Sequence, residues 1–298
     1  MDFGPATQSE HAAALALLFA HLPPAERNRR LARSLRELAT AGAYRPELWV
    51  ARRGPDLLGA MWSEVQAGKT ALVSPPRICT SEAPATAQAL AGAVVSHLSG
   101  RDVRLAQALV DTHQTAPIAA LAANGFRHLT DLLYLVSLRD KFPDSPPQSG
   151  LEFAPCDEAD DSALAAIIER TYAGSLDCPA IEGWRDVNDV LEGYRAVEAS
   201  ASRRWLIVRS GQLDVGCLLL NDYPELNQWE LVYMGLVGEA RGRGWGMALV
   251  RYAQWLARQA GRAQMVLAVD AANAPAIAVY AAAGFITWDR RSALVRKF

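Results

Sequence analysis

Cysteine is scarce and scattered in this chain of 298 residues. Cys79, Cys156, Cys178 and Cys217 form no C-x-x-C pair, which excludes a zinc cage or a disulfide framework and predicts reduced, incidental thiols. Long apolar runs are lacking as well: the longest near the start, residues 12–20, falls far short of the ~20 residues that span a bilayer. That run has neither a basic lead nor a small-residue cleavage site, so no signal peptide is expected. Nor is there an excess of either charge. The formal net charge is −2; residues 1–150 hold 15 basic and 13 acidic side chains, and residues 151–298 hold 15 and 19. Neither half carries the basic stripe of a nucleic-acid-binding protein. What is present is apolar material, 51% against 21% charged residues, enough for a packed core and too much for a disordered chain. The length predicts two domains, and the broad class is a cytoplasmic enzyme or binding protein with no metal, no membrane and no nucleic-acid partner.

The run Phe142-Pro143-Asp144-Ser145-Pro146-Pro147-Gln148-Ser149-Gly150 cannot form a helix interior or a central strand, and reads as a linker. Its two sides look alike. Ala116-Pro117-Ile118-Ala119 leads to Gly125-Phe126, and Ala274-Pro275-Ala276-Ile277 leads to Gly284-Phe285; each is an alanine-rich helix with glycine just past its end. Leu48-Trp49-Val50-Ala51-Arg52 matches Trp205-Leu206-Ile207-Val208-Arg209, each followed by a turn and a glycine-bearing strand. The offset drifts from 156 to 159 residues, as a divergent duplication would leave it. A helical opening (residues 10–22; 159–171) precedes strands in each half, which predicts an α/β (α+β) fold with a mixed central sheet flanked by helices. The expected domains are 1–141 and 151–298, joined by 142–150. In the second, strands are expected at 229–237 and 265–269, and helices at 245–259 and 275–283.

Between the strand at 229–237 and the helix at 245–259 stands Arg241-Gly242-Arg243-Gly244-Trp245-Gly246. Alternate glycines let the backbone approach a ligand and take positive φ angles. The loop opens into a helix N-terminus, whose free N–H groups and dipole favour an anion, and two guanidinium groups suit phosphate oxygens. It has no Gly-Lys-Ser/Thr and no G-x-G-x-x-G spacing, so neither a Walker A nor a dinucleotide loop is indicated. A pyrophosphate held by backbone amides without a metal fits best.

Arg241-x-x-Gly244-x-Gly246 after a strand resembles the R/Q-x-x-G-x-G/A coenzyme A loop of the GNAT N-acetyltransferases. About thirty residues on, Asn273-x-x-Ala276-x-x-Val279-Tyr280-x-x-x-Gly284-Phe285 is similar to the family's second signature. The close match covers residues 229–285, and the fold-level resemblance 151–298. The resemblance implies acetyl-CoA as co-substrate, with the amides of Arg241, Gly242, Arg243, Gly244, Trp245, Gly246 and Met247 cradling the pyrophosphate. It further implies that Met234, Gly235 and Leu236 lie along the pantetheine, that strand amides bind the acetyl carbonyl, and that Asn273 bonds the pantetheine arm. Tyr280 becomes the candidate general acid for the departing thiolate.

The base is less determined. Every histidine (His11, His21, His97, His113, His128) lies in the first half, so a carboxylate, a tyrosine, a water chain or a histidine from that half must serve. Glu230, bracketed by apolar residues where the family often carries a catalytic glutamate, is the candidate, with Tyr233 in reserve and an exposed strand-end ion pair as its bland reading. The segment joining the first two helices selects the acceptor in this family; here Tyr172, Asp177 and Trp184 are the candidates for lining a pocket for a cationic amine. In the first half the loop position reads Glu82-Ala83-Pro84-Ala85-Thr86-Ala87-Gln88, with no glycine and an acid in place of Arg241, and Leu121 stands where Tyr280 does. An acid and a proline at a helix start repel phosphate and remove a donor, so this half is expected to have lost its coenzyme site. The layout resembles the family's tandem-domain enzymes. The expected activity is transfer of an acetyl group to a primary amine of a small molecule or a peptide N-terminus; a non-catalytic acyl-CoA-binding module is the alternative. Two halves in one chain can replace a dimer, so a monomer is expected.

Overall fold

The computed structural model describes residues 1–39, 46–156, 162–196 and 202–298. The first half of the chain runs β1 (Asp2–Pro5), α1 (His11–Leu18), α2 (Pro24–Ala39), β2 (Pro46–Arg53), β3 (Asp56–Gln66), β4 (Thr70–Val73), β5 (Arg77–Ile78), α3 (Pro84–Ser99), β6 (Leu105–Asp111), α4 (Thr115–Ala122) and β7 (Arg127–Leu138). The second runs β8 (Glu152–Pro155), α5 (Ser162–Tyr172), α6 (Val187–Arg195), β9 (Ser202–Ser210), β10 (Leu213–Tyr223), β11 (Gln228–Leu236), α7 (Trp245–Gln259), β12 (Gln264–Asp270), α8 (Ala274–Ala282) and β13 (Ile286–Lys297). The helix expected from residue 159 is described from Ser162, and residues 159–161 lie outside the described residues. Among the described residues no helix is long and apolar enough to cross a membrane.

The chain forms two compact units, but they are not cut at the linker. One is Met1–Leu129 with Arg291–Phe298; the other is Thr130–Arg290. Strand pairing is the reason. In the first unit β1, β2, β3 and β4 are successively antiparallel, β4 runs parallel to β6, and β6 pairs antiparallel with Arg291–Lys297 of β13. In the second, β8, β9, β10 and β11 are successively antiparallel, β11 runs parallel to β12, and β12 pairs antiparallel with Leu132–Leu138 of β7. Each half thus gives its last strand to the other unit's sheet. Leu294 is buried with Leu121 and Phe126 in the first core, and Leu135 with Leu267 and Phe285 in the second. Residues 142–150 hold no helix or strand, as expected, although Phe142 is buried in the second core.

The duplication is legible in the backbone. β6 and β12 both start 159 residues apart, and so do β7 and β13. Pairing of β2 with β3 skips Leu58, and pairing of β9 with β10 skips Val215, so each unit has a β-bulge at the same place. The next residue is glycine in both. A Cβ on Gly59 would lie 3.1 Å from the Arg77 carbonyl oxygen, and one on Gly216 would fall on the Gly235 carbonyl oxygen. Close backbone approach therefore demands glycine at 216 and favours it at 59. On α7 the spacing of Leu249, Val250, Ala253, Leu256 and Ala257 lays one apolar face against the sheet, all buried.

Leu294→Ala removes a fully buried side chain from the borrowed strand, and is expected to cost the first unit about 2–5 kcal/mol. Hydrogen exchange should then speed up across β6 while α7 amides keep their protection; equal loss in both would contradict the unit assignment.

Candidate active site

Parallel pairing joins Gln228–Glu230 of β11 to Gln264–Val266 of β12. Above it a cavity of about 340 Å³ opens between Leu231, Val232, Tyr233, Met234, Gly235 and Leu236 on one side and Ala268 and Val269 on the other. The register of β11 on β10 skips Val232, a bulge that turns the strand just where the cavity begins. Gly174, Ser175, Leu176 and Asp177 form a second wall, and Asn273, Pro275, Ala276 and Tyr280 a third. A Cβ on Gly235 would meet Thr171 at 2.7 Å, so the end of α5 rests directly on the β11 backbone. Thr171 Oγ1 donates to Ile168 O at 2.7 Å, and therefore accepts from Tyr233 Oη, also at 2.7 Å.

The glycine-rich loop leads into α7, which begins at Trp245 with Gly244 at its N-cap. Gly242 and Gly244 have φ of +76° and +75° with open space where a Cβ would be, so the dihedral rather than crowding selects glycine. The outer amides of the expected cradle are spent on the chain itself. Arg241 N donates to Gly238 O and Met247 N to Gly244 O, each at 3.2 Å, which narrows the cradle to Gly242, Arg243, Gly244, Trp245 and Gly246. The Arg241 guanidinium is not the phosphate ligand that its place in the loop suggested. It donates to Leu236 O (3.0 Å), Gly174 O (2.8 Å) and Thr171 O (2.7 Å), bracing the last turn of α5 against the end of β11. Arg243 is exposed and lies over the Trp245 ring, 5.1 Å from its centroid.

Asp177, Asn273 and Tyr280 are brought together around the cavity; Glu230, Tyr172 and Trp184 are not among its described lining residues. Glu230 sits in the paired stretch below, where its carboxyl accepts from Tyr223 Oη at 3.1 Å and burial pushes its pKa up. Tyr233 lines the cavity, but its proton is committed to Thr171 and burial pushes its pKa well up, which disfavours it as a base. Tyr172 packs its ring edge-on to Tyr233 at 6.0 Å, with burial pushing its pKa up to about 12. It supports the wall from behind. Trp184 is half-buried beyond the short turn at Pro179–Ile181. Asn273 uses its side-chain oxygen to cap α8, accepting from Ala276 N at 3.3 Å. Tyr280 is 5% exposed; burial first, and the Asp177 charge second, push its phenol well up, so it carries its proton at neutral pH.

One residue the sequence reading missed organises the Asp177 wall of the cavity. Asp270 ends β12 and is buried; its carboxyl accepts from Thr130 Oγ1 (2.5 Å), Ala272 N (2.8 Å) and Cys178 N (3.0 Å), while its own N–H donates to Asp177 Oδ1 (3.3 Å). This two-way clasp ties the loop after α5 to the end of β12. Cys178, a non-glycine residue at φ +49°, takes a left-handed backbone to make it. Burial, reinforced by Asp177 and Asp270, pushes its thiol up to about 12, so it is no nucleophile. Burial, and secondarily the Asp270 charge, raise the Asp177 pKa against the bond from Asp270 N. The signal for Asp270 was in the repeat: Asp111 ends β6 at the same offset.

A bulged, splayed strand beside a glycine-rich helix start, with a buried phenol and a cavity-lining carboxyl at the parting, makes up the candidate site. Residues 168–285 match the model of the acetyltransferase (GNAT) family. The chain is similar to a solved GCN5-related N-acetyltransferase from Sphaerobacter thermophilus (15% identity, 99% of this chain and 95% of that one, TM-score 0.65). It is similar also to a tandem GNAT protein from the clavulanic acid biosynthesis pathway (17% identity, 99% and 98%, TM-score 0.58). A third likeness is to a GCN5-related glucosamine N-acetyltransferase region of a fungal multi-domain GH3 β-N-acetylglucosaminidase (14% identity, 99% and 38%, TM-score 0.64). At these identities the likeness is one of fold: both units are GNAT-like. No curated protein matches the chain.

A carboxyl whose pKa is raised by folding contributes stability while protonated and loses it as pH rises through the folded pKa. Asp177→Asn keeps an acceptor for Asp270 N without the charge. The variant should therefore melt higher than the parent at pH 7, and the two should converge at pH 3, below the ordinary value of 3.8. A gain persisting unchanged at pH 3 would refute the raised pKa.

Proposed function

We propose that this protein is an acetyl-CoA-dependent N-acetyltransferase that acylates a primary amine of a small molecule or a peptide N-terminus, using its second unit. The observation that carries the reading is the juxtaposition of the splayed β11 edge and the pair Asp177 and Tyr280 at one cavity, with Arg241, the first residue of the glycine-rich loop, on its wall. These residues fit the coenzyme. Five loop and first-turn amides at a helix start accept a pyrophosphate, and the β11 edge at Met234, Gly235 and Leu236, free of β12 above Glu230, accepts an extended pantetheine. When bound, acetyl-CoA supplies the acyl group as a thioester.

The chain's own residues then manage protons and orientation. Asp177 replaces Glu230 as the proton acceptor, because it lines the cavity and its raised pKa brings it nearer the working pH. The amine nitrogen forms its bond to the acyl carbon as the carbon–sulfur bond breaks; Asp177 takes the ammonium proton, and Tyr280 Oη returns one to the sulfur. Attack is direct, consistent with the unreactive Cys178. Strand amides of bulged β11 face the acyl oxygen, where fixed donors contribute most. The first unit contributes no second coenzyme site: α3 opens with Pro84, and Glu82 before it is held by Arg53 at 3.1 and 2.9 Å. A monomer working in the reducing cytoplasm suits two units in one chain and four free thiols.

Calorimetric titration with acetyl-CoA should give one site per chain. Two sites would overturn the reading of the first unit, and none would overturn the proposal. Tyr280→Phe should keep the affinity for acetyl-CoA while lowering kcat about 10²–10⁴-fold across a panel of amines. Saturable binding with no turnover on any amine would make the protein an acyl-CoA-binding module instead.

A further inference from the structure

The cavity of the second unit offers an acceptor a free carboxylate but no free cation. Among its described lining residues Asp177 is the sole acid and Arg241 the sole base. Each of the three nitrogens of Arg241 donates to a main-chain carbonyl, of Leu236, Gly174 or Thr171, which binds the guanidinium to the end of β11. Asp177 is tied across the parting to the end of β12, and through one oxygen only: Oδ1 accepts from Asp270 N at 3.3 Å. Its Oδ2 has no hydrogen-bond partner among the described residues. On the N-acetyltransferase reading, on which this rests, we infer that the acceptor is a primary amine on an uncharged, largely apolar body, and that the site rejects free α-amino acids, whose carboxylate sits on the carbon next to the nitrogen.

Charge and shape select the same class. An ammonium drawn to Asp177 gains from the Asp270 carboxyl as well, which lies close enough for its charge to act on Asp177. A carboxylate beside that ammonium meets both acids as a like charge, and like charges about 5 Å apart near a protein surface repel by about a factor of ten or more. No cation on the wall compensates. Arg185 does not supply one: it is not among the described lining residues, its charge acts on Tyr172 and Tyr194, and it donates to Asp189 O at 3.3 Å with its Nε buried. Residues 157–161 and 197–201 of the same unit hold no Lys, Arg or His. The body of the acceptor meets a different surface. Leu176, next to Asp177 on the same wall, is 52% exposed, and Leu231, Ala268 and Val269 line the cavity with it. An apolar group laid on Leu176 takes that side chain out of water, a gain that a polar group does not share. The hydroxyls nearby are already engaged, Tyr233 with Thr171 at 2.7 Å and Ser175 with Asp177 N at 3.1 Å.

The test assays the full chain with acetyl-CoA at pH 8 on phenethylamine, phenylalanine, phenylalanine amide and glucosamine. The amide matches phenylalanine in size without its charge. Phenethylamine is more basic than phenylalanine and so has less of the reactive neutral form, which sets amine basicity against the expected order. Phenethylamine and the amide should each exceed phenylalanine in kcat/KM about tenfold or more, and glucosamine, uncharged but polar, should trail phenethylamine. With coenzyme A in place of acetyl-CoA there is no turnover, and calorimetric titration of that complex should give the same order of affinity. In that titration Asp177→Asn should narrow the gap between phenethylamine and phenylalanine about threefold or more, with coenzyme A affinity unchanged as the sign of an intact fold. Phenylalanine turned over within about threefold of both its amide and phenethylamine, glucosamine ahead of phenethylamine, or a gap that Asp177→Asn leaves as it was would each overturn the inference. No turnover of any amine would overturn the N-acetyltransferase reading beneath it instead.

Discussion

The chemistry of the second unit depends on β11 and β12 parting company. Three residues of parallel pairing hold them together, and then a bulge at Val232 turns β11 away. Main-chain N–H and C=O groups inside a fold must be satisfied or exposed to something polar. A strand edge released in the middle of a sheet must therefore face water or another polar partner, and β11 does so where its pairing with β12 ends. The helix start of α7 follows the end of the same strand, so the released edge leads towards a helix N-terminus. Around that edge the structure spends its arginine and its strained cysteine on bracing: Arg241 on three carbonyls, Cys178 on the Asp270 clasp. The groups left to face the cavity are few and chemically specific.

The exchange of terminal strands gives each unit a sheet that its own half of the sequence cannot complete. β6 and β12 are interior strands only because β13 and β7 cover their outer edges. An uncovered edge is an invitation to aggregation, and pairing both edges within one chain removes it. The same exchange explains why a proline-rich linker at 142–150 is a poor guide to the units. Proline and glycine mark where the chain cannot be helix or strand, not which core receives the next apolar residue; Phe142, at the linker's start, is itself core.

Local readings from the sequence fared well where one physical cause dominated. The α7 range and the β12 strand follow from periodicity, and the positive φ at Gly242, Gly244, Gly125 and Gly284 follows from glycine after or before a helix. The site was legible as a track but not as a set of side chains. Sequence can say that Arg241 stands in a phosphate loop; it cannot say that α5 ends within reach and takes its guanidinium. It can say that Glu230 is bracketed by apolar neighbours, but not that Tyr223 satisfies it one turn of pleat below the cavity. Asp270 escaped because a strand-end acid has no distinguishing local pattern. Only the repeat, with Asp111 at the same offset, singles it out.

That repeat also says what changed after duplication. The bulge, the glycine beside it, the strand-end aspartate and the amide-bearing residue three positions later are present in both units, so the framework of the cavity was kept as a structural unit. Its two chemical ends were altered independently. The helix start of α3 acquired Glu82 and Pro84, which repel an anion and delete a donor. The cavity wall of the first unit carries Arg30, Arg77 and Arg291, and Leu121 stands at the position of Tyr280. At the first of these, Arg53 holds Glu82 at 3.1 and 2.9 Å and Pro84 stands where a helix start has no use for an N–H, so both residues are accommodated by the fold itself. At the second, half-burying Arg77 costs desolvation energy, which its bond to Gln114 Oε1 and the charge of Asp111 offset.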